Sequence, residues 1–306
     1  MESKLKHNIK ITLLIIGMFL ITQLIGLFIF TTYNQIDLPY DMQPPKEIQE
    51  RPQGIQIITA FVIAILLFFL LIKIRAEIII KAWFFAVITL ALGIAINAIL
   101  ISLNLIYYTQ LISLLIALPL TYLKVFKRDL IVHNTTELLI YPGIAAVFIS
   151  LLNINWTIIL LLIISLYDIW AVWHSEVMQK MAKYQINNLR IFTGFFIPYA
   201  SKKEKQKIKE LKEKYSSNEL EKQFRKSNIK INLAILGGGD VIFPIIAAGV
   251  FYKVYNSIIP SLIITLFSTL ALLYLFVVAK KGKFYPAMPF ITIGIYLAMI
   301  VIKIVF

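Results

Sequence analysis

The feature that most constrains this chain is a succession of apolar runs of about twenty residues, the length at which an α-helix crosses the hydrocarbon core of a bilayer. Nine can be drawn, at 9–30, 55–72, 82–102, 105–123, 137–152, 155–174, 231–253, 257–279 and 285–305. Lipid offers no water to satisfy free backbone groups, so runs of this length are expected to fold as helices. The expected fold is therefore an all-α membrane protein of nine transmembrane helices, a single polytopic domain over residues 1–306. The fifth run is the weakest, because Glu137, Pro142 and Gly143 leave it short. Composition agrees: 59% of the 306 residues are hydrophobic, 15% are charged and the mean hydropathy is +0.83. Lys4, Lys6 and Lys10 precede the first run as in a signal peptide. That run is longer than a signal core and lacks a small-x-small cleavage site, so it reads as a retained first helix.

The net charge of +14 is a topology signal rather than a nucleic-acid signal. With the N-terminus cytoplasmic, 26 of the 30 Lys and Arg fall in cytoplasmic segments, leaving Lys46, Arg51, Lys253 and Lys303 outside. That asymmetry predicts a cytoplasmic N-terminus and an external C-terminus. Residues 31–54, with Pro39, Pro44, Pro45 and Pro52, read as an external loop. Residues 175–230 form the one sizeable polar connector, cytoplasmic and between spans six and seven. Within it Lys202–Lys214 alternates Lys and Glu, with Glu210 and Lys214 at helical spacing, and Ser216 and Glu219 fit a capping box. Its most apolar piece, Ile191 to Pro198, is a candidate for the membrane surface. The absence of cysteine excludes disulfides, thiolate catalysis and cysteine-based metal sites.

Against this background two acids stand out: Asp168, in Tyr167-Asp168, and Asp240, after Gly237-Gly238-Gly239. An ionised Asp deep in a bilayer costs roughly 3 kcal/mol on insertion scales, so such an acid is a functional candidate by default. Asp168 lies eight residues before Glu176, roughly 12 Å of helix, and Asp240 lies ten residues after Lys230, roughly 15 Å. The two therefore share a depth nearer the cytoplasmic face of antiparallel spans, where they can face each other. Facing carboxylates do not both ionise easily, so one keeps a proton while the other is charged. The ionised member then accepts a proton from water as it attacks a peptide carbonyl, and the protonated member donates to the carbonyl oxygen. The carboxylates alone leave alternatives open: structural polar groups, or a cation channel or proton-coupled transporter using the same two acids, with Asn97 and Asn104 as further polar groups. His7, His133 and His174 are too scattered for a zinc protease, and none lies deep in a span to serve a serine protease.

Tyr167-Asp168, Gly237-Gly238-Gly239-Asp240 and Pro286-Ala287-Met288-Pro289 occur in this order on spans six, seven and nine. Together they resemble the YD, GxGD and PALP motifs of the presenilin and signal peptide peptidase family of intramembrane aspartyl proteases. Met288 stands where Leu is usual, a volume-conserving change. The resemblance implies that Asp168 and Asp240 are the catalytic pair, supported by Tyr167, Gly237, Gly238 and Gly239, and that Pro286, Ala287, Met288 and Pro289 shape the site and engage substrate. It implies no cofactor and no metal. Substrates would be single-span membrane proteins cut within the bilayer, and the partner is lipid rather than nucleic acid. The charge map is similar to the presenilin-like branch. The short loops resemble compact archaeal homologues, which implies activity without partner subunits.

Overall fold

The computed structural model describes residues 9–34, 36–42, 54–74, 76–105, 107–127, 129–174, 193–200, 204, 206–208, 210–211, 227, 231–279 and 285–306. Among the described residues the long apolar helices follow the expected order: α1 (Ile9–Thr32), α2 (Gly54–Lys73), α3 (Glu77–Ser102), α4 (Thr109–Tyr122), α5 (Leu130–Leu151), α6 (Ile154–Trp173), α7 (Gly238–Tyr255), α8 (Ile258–Val278) and α9 (Met288–Val305). Among the described residues eight stretches are long and apolar enough to cross a membrane, with α4 counted together with the π-helical turn Leu123–Lys127 that continues it. The burial pattern also suits lipid. Leu13 and Leu14 on α1, Leu162 and Leu166 on α6 and Ile300 on α9 face outward, while Ser261 and Ser268 on α8 are fully buried. Small polar residues at helix interfaces hydrogen-bond within the bundle, as Ser261 does to the Ala248 carbonyl at 2.7 Å.

α7 is the central helix, touching α1, α5, α6, α8 and α9. Pro244 to Phe251 are buried without interruption, the signature of a helix surrounded on every side. α5 is longer than the sequence suggested. Asp129 caps it, its carboxylate accepting from the N–H groups of Ile131 at 2.8 Å and Val132 at 3.0 Å, and the helix runs through Pro142 and Gly143. Glu137 does not end the span, because Lys124 neutralises it: Nζ donates to Oε1 at 2.7 Å, with both side chains almost fully buried. The π turn carrying Lys124 holds one residue more per turn than an α-helix, and Lys124 and Val125 within it are buried.

The all-α expectation needs one local correction. Residues 231–237 are not the first turns of span seven but a strand, β2 (Ile231–Gly237), antiparallel to β1 (Gly194–Ala200). The register pairs Gly194 with Gly237, Phe196 with Ile235 and Ala200 with Ile231. The apolar piece expected on the membrane surface is thus mostly strand, with Phe195 fully buried against the bundle. Ser216, Glu219 and most of the 175–230 connector lie outside the described residues.

Candidate active site

Asp240 enters the structure where strand turns into helix. Gly237 is the N-cap of α7, in an extended conformation at φ −64° and ψ 145°, so Gly238, Gly239 and Asp240 are the first three helical residues. A carboxylate at the third position reaches back to the N-cap, and Asp240 accepts from the backbone N–H of Gly237, half of a capping box. Asp240 is therefore not stranded in mid-helix. It sits where unpaired backbone N–H groups and the positive end of the helix dipole favour an acid.

The motif glycines have different neighbours. A Cβ on Gly238 would lie 2.8 Å from Tyr141 Cε1, so only glycine lets this turn rest on that buried ring. A Cβ on Gly237 would stand 3.1 Å from Asp240 Oδ2, whereas one on Gly239 would meet nothing closer than Phe243 at 3.7 Å. Gly239 is exposed, and its missing side chain leaves the approach to Asp240 open.

Asp168 is 7% exposed, five residues before the end of α6. Its Oδ2 accepts from the Met288 N–H at 3.1 Å, and the Ala287 N–H also donates to the carboxylate. These amides open α9. Pro286 and Pro289 have no N–H to give, so the donors of this segment are the two residues between them. Below the acid, Ser165 donates to Thr292 Oγ1 at 2.7 Å and the Tyr296 hydroxyl donates to the Ile158 carbonyl at 2.7 Å, zipping α6 onto α9.

Asp168 and Asp240 interact electrostatically across the contact between α6 and α7. The structure thus brings together Asp168, Asp240, Gly237, Ala287 and Met288, with Gly238 held by the ring of Tyr141. Tyr167 is 42% exposed, with its ring 6.2 Å from that of Trp170, and it interacts electrostatically with the adjacent Asp168. Several neighbours were missed in the sequence. Gln23 of α1 donates to the Val241 carbonyl at 3.0 Å, next to Asp240. His133, read as outside the deep part of a span, is buried on α5 and bonded through Nε2 to the Gly194 carbonyl at 2.8 Å. Glu137, a lone acid in an apolar run, was the available signal for this cluster. Asn97 accepts from the Tyr33 hydroxyl at 3.0 Å, and Asn104 is a turn residue at φ 60°. A cavity of about 210 Å³ lies beside the motif, lined among others by Lys124, Glu137, Tyr141, Gly238 and Gly239.

A family model described as signal-peptide peptidase, presenilin aspartyl protease matches residues 16–306. No curated protein sequence gives a significant match. Among solved structures, the chain is similar to a presenilin family intramembrane aspartate protease in a C222 crystal form, at 18% identity and TM-score 0.60, covering 95% of this chain and 97% of that one. It is equally similar to such a protease in a P2 form, at 17% identity, TM-score 0.60 and the same coverage. At this identity the likeness establishes the shared fold.

Proposed function

The chain belongs to the signal-peptide peptidase and presenilin family of aspartyl proteases and is a multi-pass membrane aspartic endopeptidase; from that premise we propose that Asp168 and Asp240 are its catalytic pair and hydrolyse peptide bonds within transmembrane helices of membrane-protein substrates. The observation that carries this reading is that the two carboxylates interact electrostatically across α6 and α7, each held by backbone N–H groups at the start of a helix, α7 for Asp240 and α9 for Asp168. The pair shares one proton. Its ionised member takes a proton from water as the water oxygen attacks the scissile carbonyl carbon, and its protonated member gives a proton to the carbonyl oxygen. Return of a proton to the amide nitrogen then releases the amine as the C–N bond breaks. The roles belong to the pair and exchange during the cycle.

Water and an extended substrate are both required. The cavity beside Gly238 and Gly239 has room for about seven waters at ~30 Å³ each, and its largely apolar wall includes the polar groups of Lys124 and Glu137. A peptide bond in an intact helix is shielded, so the substrate must unwind, and an unwound strand in lipid needs a backbone partner. The ribbon supplies one on its β2 side, where Leu233 and Ile235 are 42% and 41% exposed and no other helix than α7 packs closely among the described residues. A strand added there would be led towards Asp240. The Lys and Arg distribution supports an active site nearer the cytoplasmic face. The short loops support activity without partner subunits.

The test is cleavage of a single-span peptide by the purified protein, comparing wild type with Asp168→Asn and Asp240→Asn, with circular dichroism to establish that both variants stay folded. Loss of cleavage in both is expected. Cleavage that survives either substitution refutes the two-aspartate mechanism, and ion flux in liposomes without any cleavage would return the acids to a transport role.

A further inference from the structure

The ribbon that ends at Asp240 is held by one face of α5. His133 Nε2 bonds the Gly194 carbonyl at 2.8 Å, so Nε2 carries the proton and Nδ1 is free to accept from Lys124 Nζ, 3.1 Å away. Lys124 in turn donates to Glu137 at 2.7 Å, which closes a buried relay from the π turn to the ribbon. One residue along, the Asn134 carboxamide imitates a strand. Its Nδ2 donates to the Phe196 carbonyl at 3.0 Å and its Oδ1 accepts from the Phe196 N–H at 3.2 Å. Tyr141, two turns further, packs edge-on against Phe195 with ring centroids 5.5 Å apart.

These bonds fix the phase of the ribbon. In an antiparallel pair, residues alternate between facing the partner strand and facing away. Gly194 and Phe196 spend their polar groups on α5, so Phe195 and Ile197 are left to bond β2, and Pro198 falls in the outward phase, where its missing N–H is harmless. The outer edge of β1 is thereby closed. Gly194 is also the residue opposite Gly237, whose N–H holds Asp240. A continuous path of contacts therefore runs from Lys124 and Glu137 through His133, Gly194 and Gly237 to the carboxylate.

We propose that His133 and Asn134, backed by the Lys124–Glu137 pair, are positioning residues that lock the register of the β1–β2 ribbon against α5 and thereby determine which peptide bond of a bound substrate meets the aspartates. This rests on the protease reading above. The strand repeat makes the consequence specific: a ribbon slipped by two residues keeps its side-chain faces but moves the template by roughly 7 Å, so cleavage shifts in whole steps along the substrate.

Two measurements test the clamp, on full-length protein. Amide hydrogen exchange over residues 194–200 and 231–237, recorded without substrate, should speed up at least tenfold in Asn134→Ala and His133→Ala. Mass spectrometry of the products should show secondary cleavage sites rising at least fivefold relative to the principal site. His133→Gln keeps a donor for Gly194 and should restore the wild-type pattern. Asn134→Asp keeps the volume but loses the bond to the Phe196 carbonyl, and serves if the alanine variant does not fold. Unchanged ribbon protection in a folded variant overturns the clamp, and so does a uniform fall of all products at a constant ratio. Absence of any Asp240-dependent product in wild type would instead count against the protease reading, leaving hydrogen exchange to decide the clamp.

Discussion

Replacing Gly238 by Ala tests the active-site geometry most directly, because the motif pattern GxGD leaves that position free and the structure does not. The added methyl would stand 2.8 Å from Cε1, 3.1 Å from the hydroxyl oxygen and 3.2 Å from Cζ of Tyr141. Tyr141 cannot swing aside, since it is 2% exposed and wedged against Phe195. Overpacking of this kind costs about 1–3 kcal/mol, which lowers the melting temperature by roughly 5 °C in a chain of this size. The strain falls two residues before Asp240, so peptide cleavage should drop more than stability does. Gly239→Ala is the internal control. Its methyl meets nothing closer than 3.7 Å, so it should melt with wild type and act, if at all, by raising KM for substrate at the exposed approach. The cause is isolated by a second substitution. Tyr141→Leu removes Cε1 and the hydroxyl, so Gly238→Ala combined with Tyr141→Leu should be more stable than the sum of the single changes allows, by about 1 kcal/mol or more. Thermal melts in detergent and cleavage of one model peptide measure all four variants. Equal melting of Gly238→Ala and wild type, or strict additivity in the double variant, refutes the packing argument.

Other expectations follow from the same contacts. Glu137→Leu strands the buried Lys124 ammonium and should cost about 3–5 kcal/mol, while Lys124→Met with Glu137→Leu should recover most of that loss in chemical denaturation. Ser165→Ala leaves Thr292 without its buried donor, at a cost of about 1–3 kcal/mol, and adding Thr292→Val should bring stability back towards wild type. Because catalysis needs one proton on the aspartate pair, kcat against pH should be bell-shaped, falling at low pH when both are protonated and at high pH when both are ionised. A profile with a single limb would contradict the shared proton.

The long helices were legible because an apolar run of membrane length has few other outcomes, and the two aspartates because a lone acid in such a run is rare. The break at Gly237 was not. Ile231 to Leu236 is apolar and continuous with α7, and periodicity alone does not separate a short buried strand from a buried helix. The signals that arbitrate were present: three consecutive glycines, poor helix formers, mark the junction, and Pro198 on the partner strand is compatible with an edge. The strand exists because Asn134 and His133 supply partners for the other side of β1, and those partners come from more than fifty residues away in sequence. Glu137 misled for the same reason. Its cation lies across a π turn and a new helix start, a relation that no sequence window displays, so an acid that stabilises α5 read as one that shortens it.

The placement of charge also explains how two acids can be kept in a membrane protein without losing the proton they must exchange. A lysine or arginine against either aspartate would answer the cost of burial, but it would hold that carboxylate ionised and end the sharing. Here the bonds come from backbone amides: Gly237 for Asp240, Ala287 and Met288 for Asp168. Amides at a helix start favour negative charge without carrying a full opposite one, so the acids remain free to trade a proton. Lys124 is the only buried lysine or arginine among the described residues, and it is already matched by Glu137 in the wall of the cavity beside the motif.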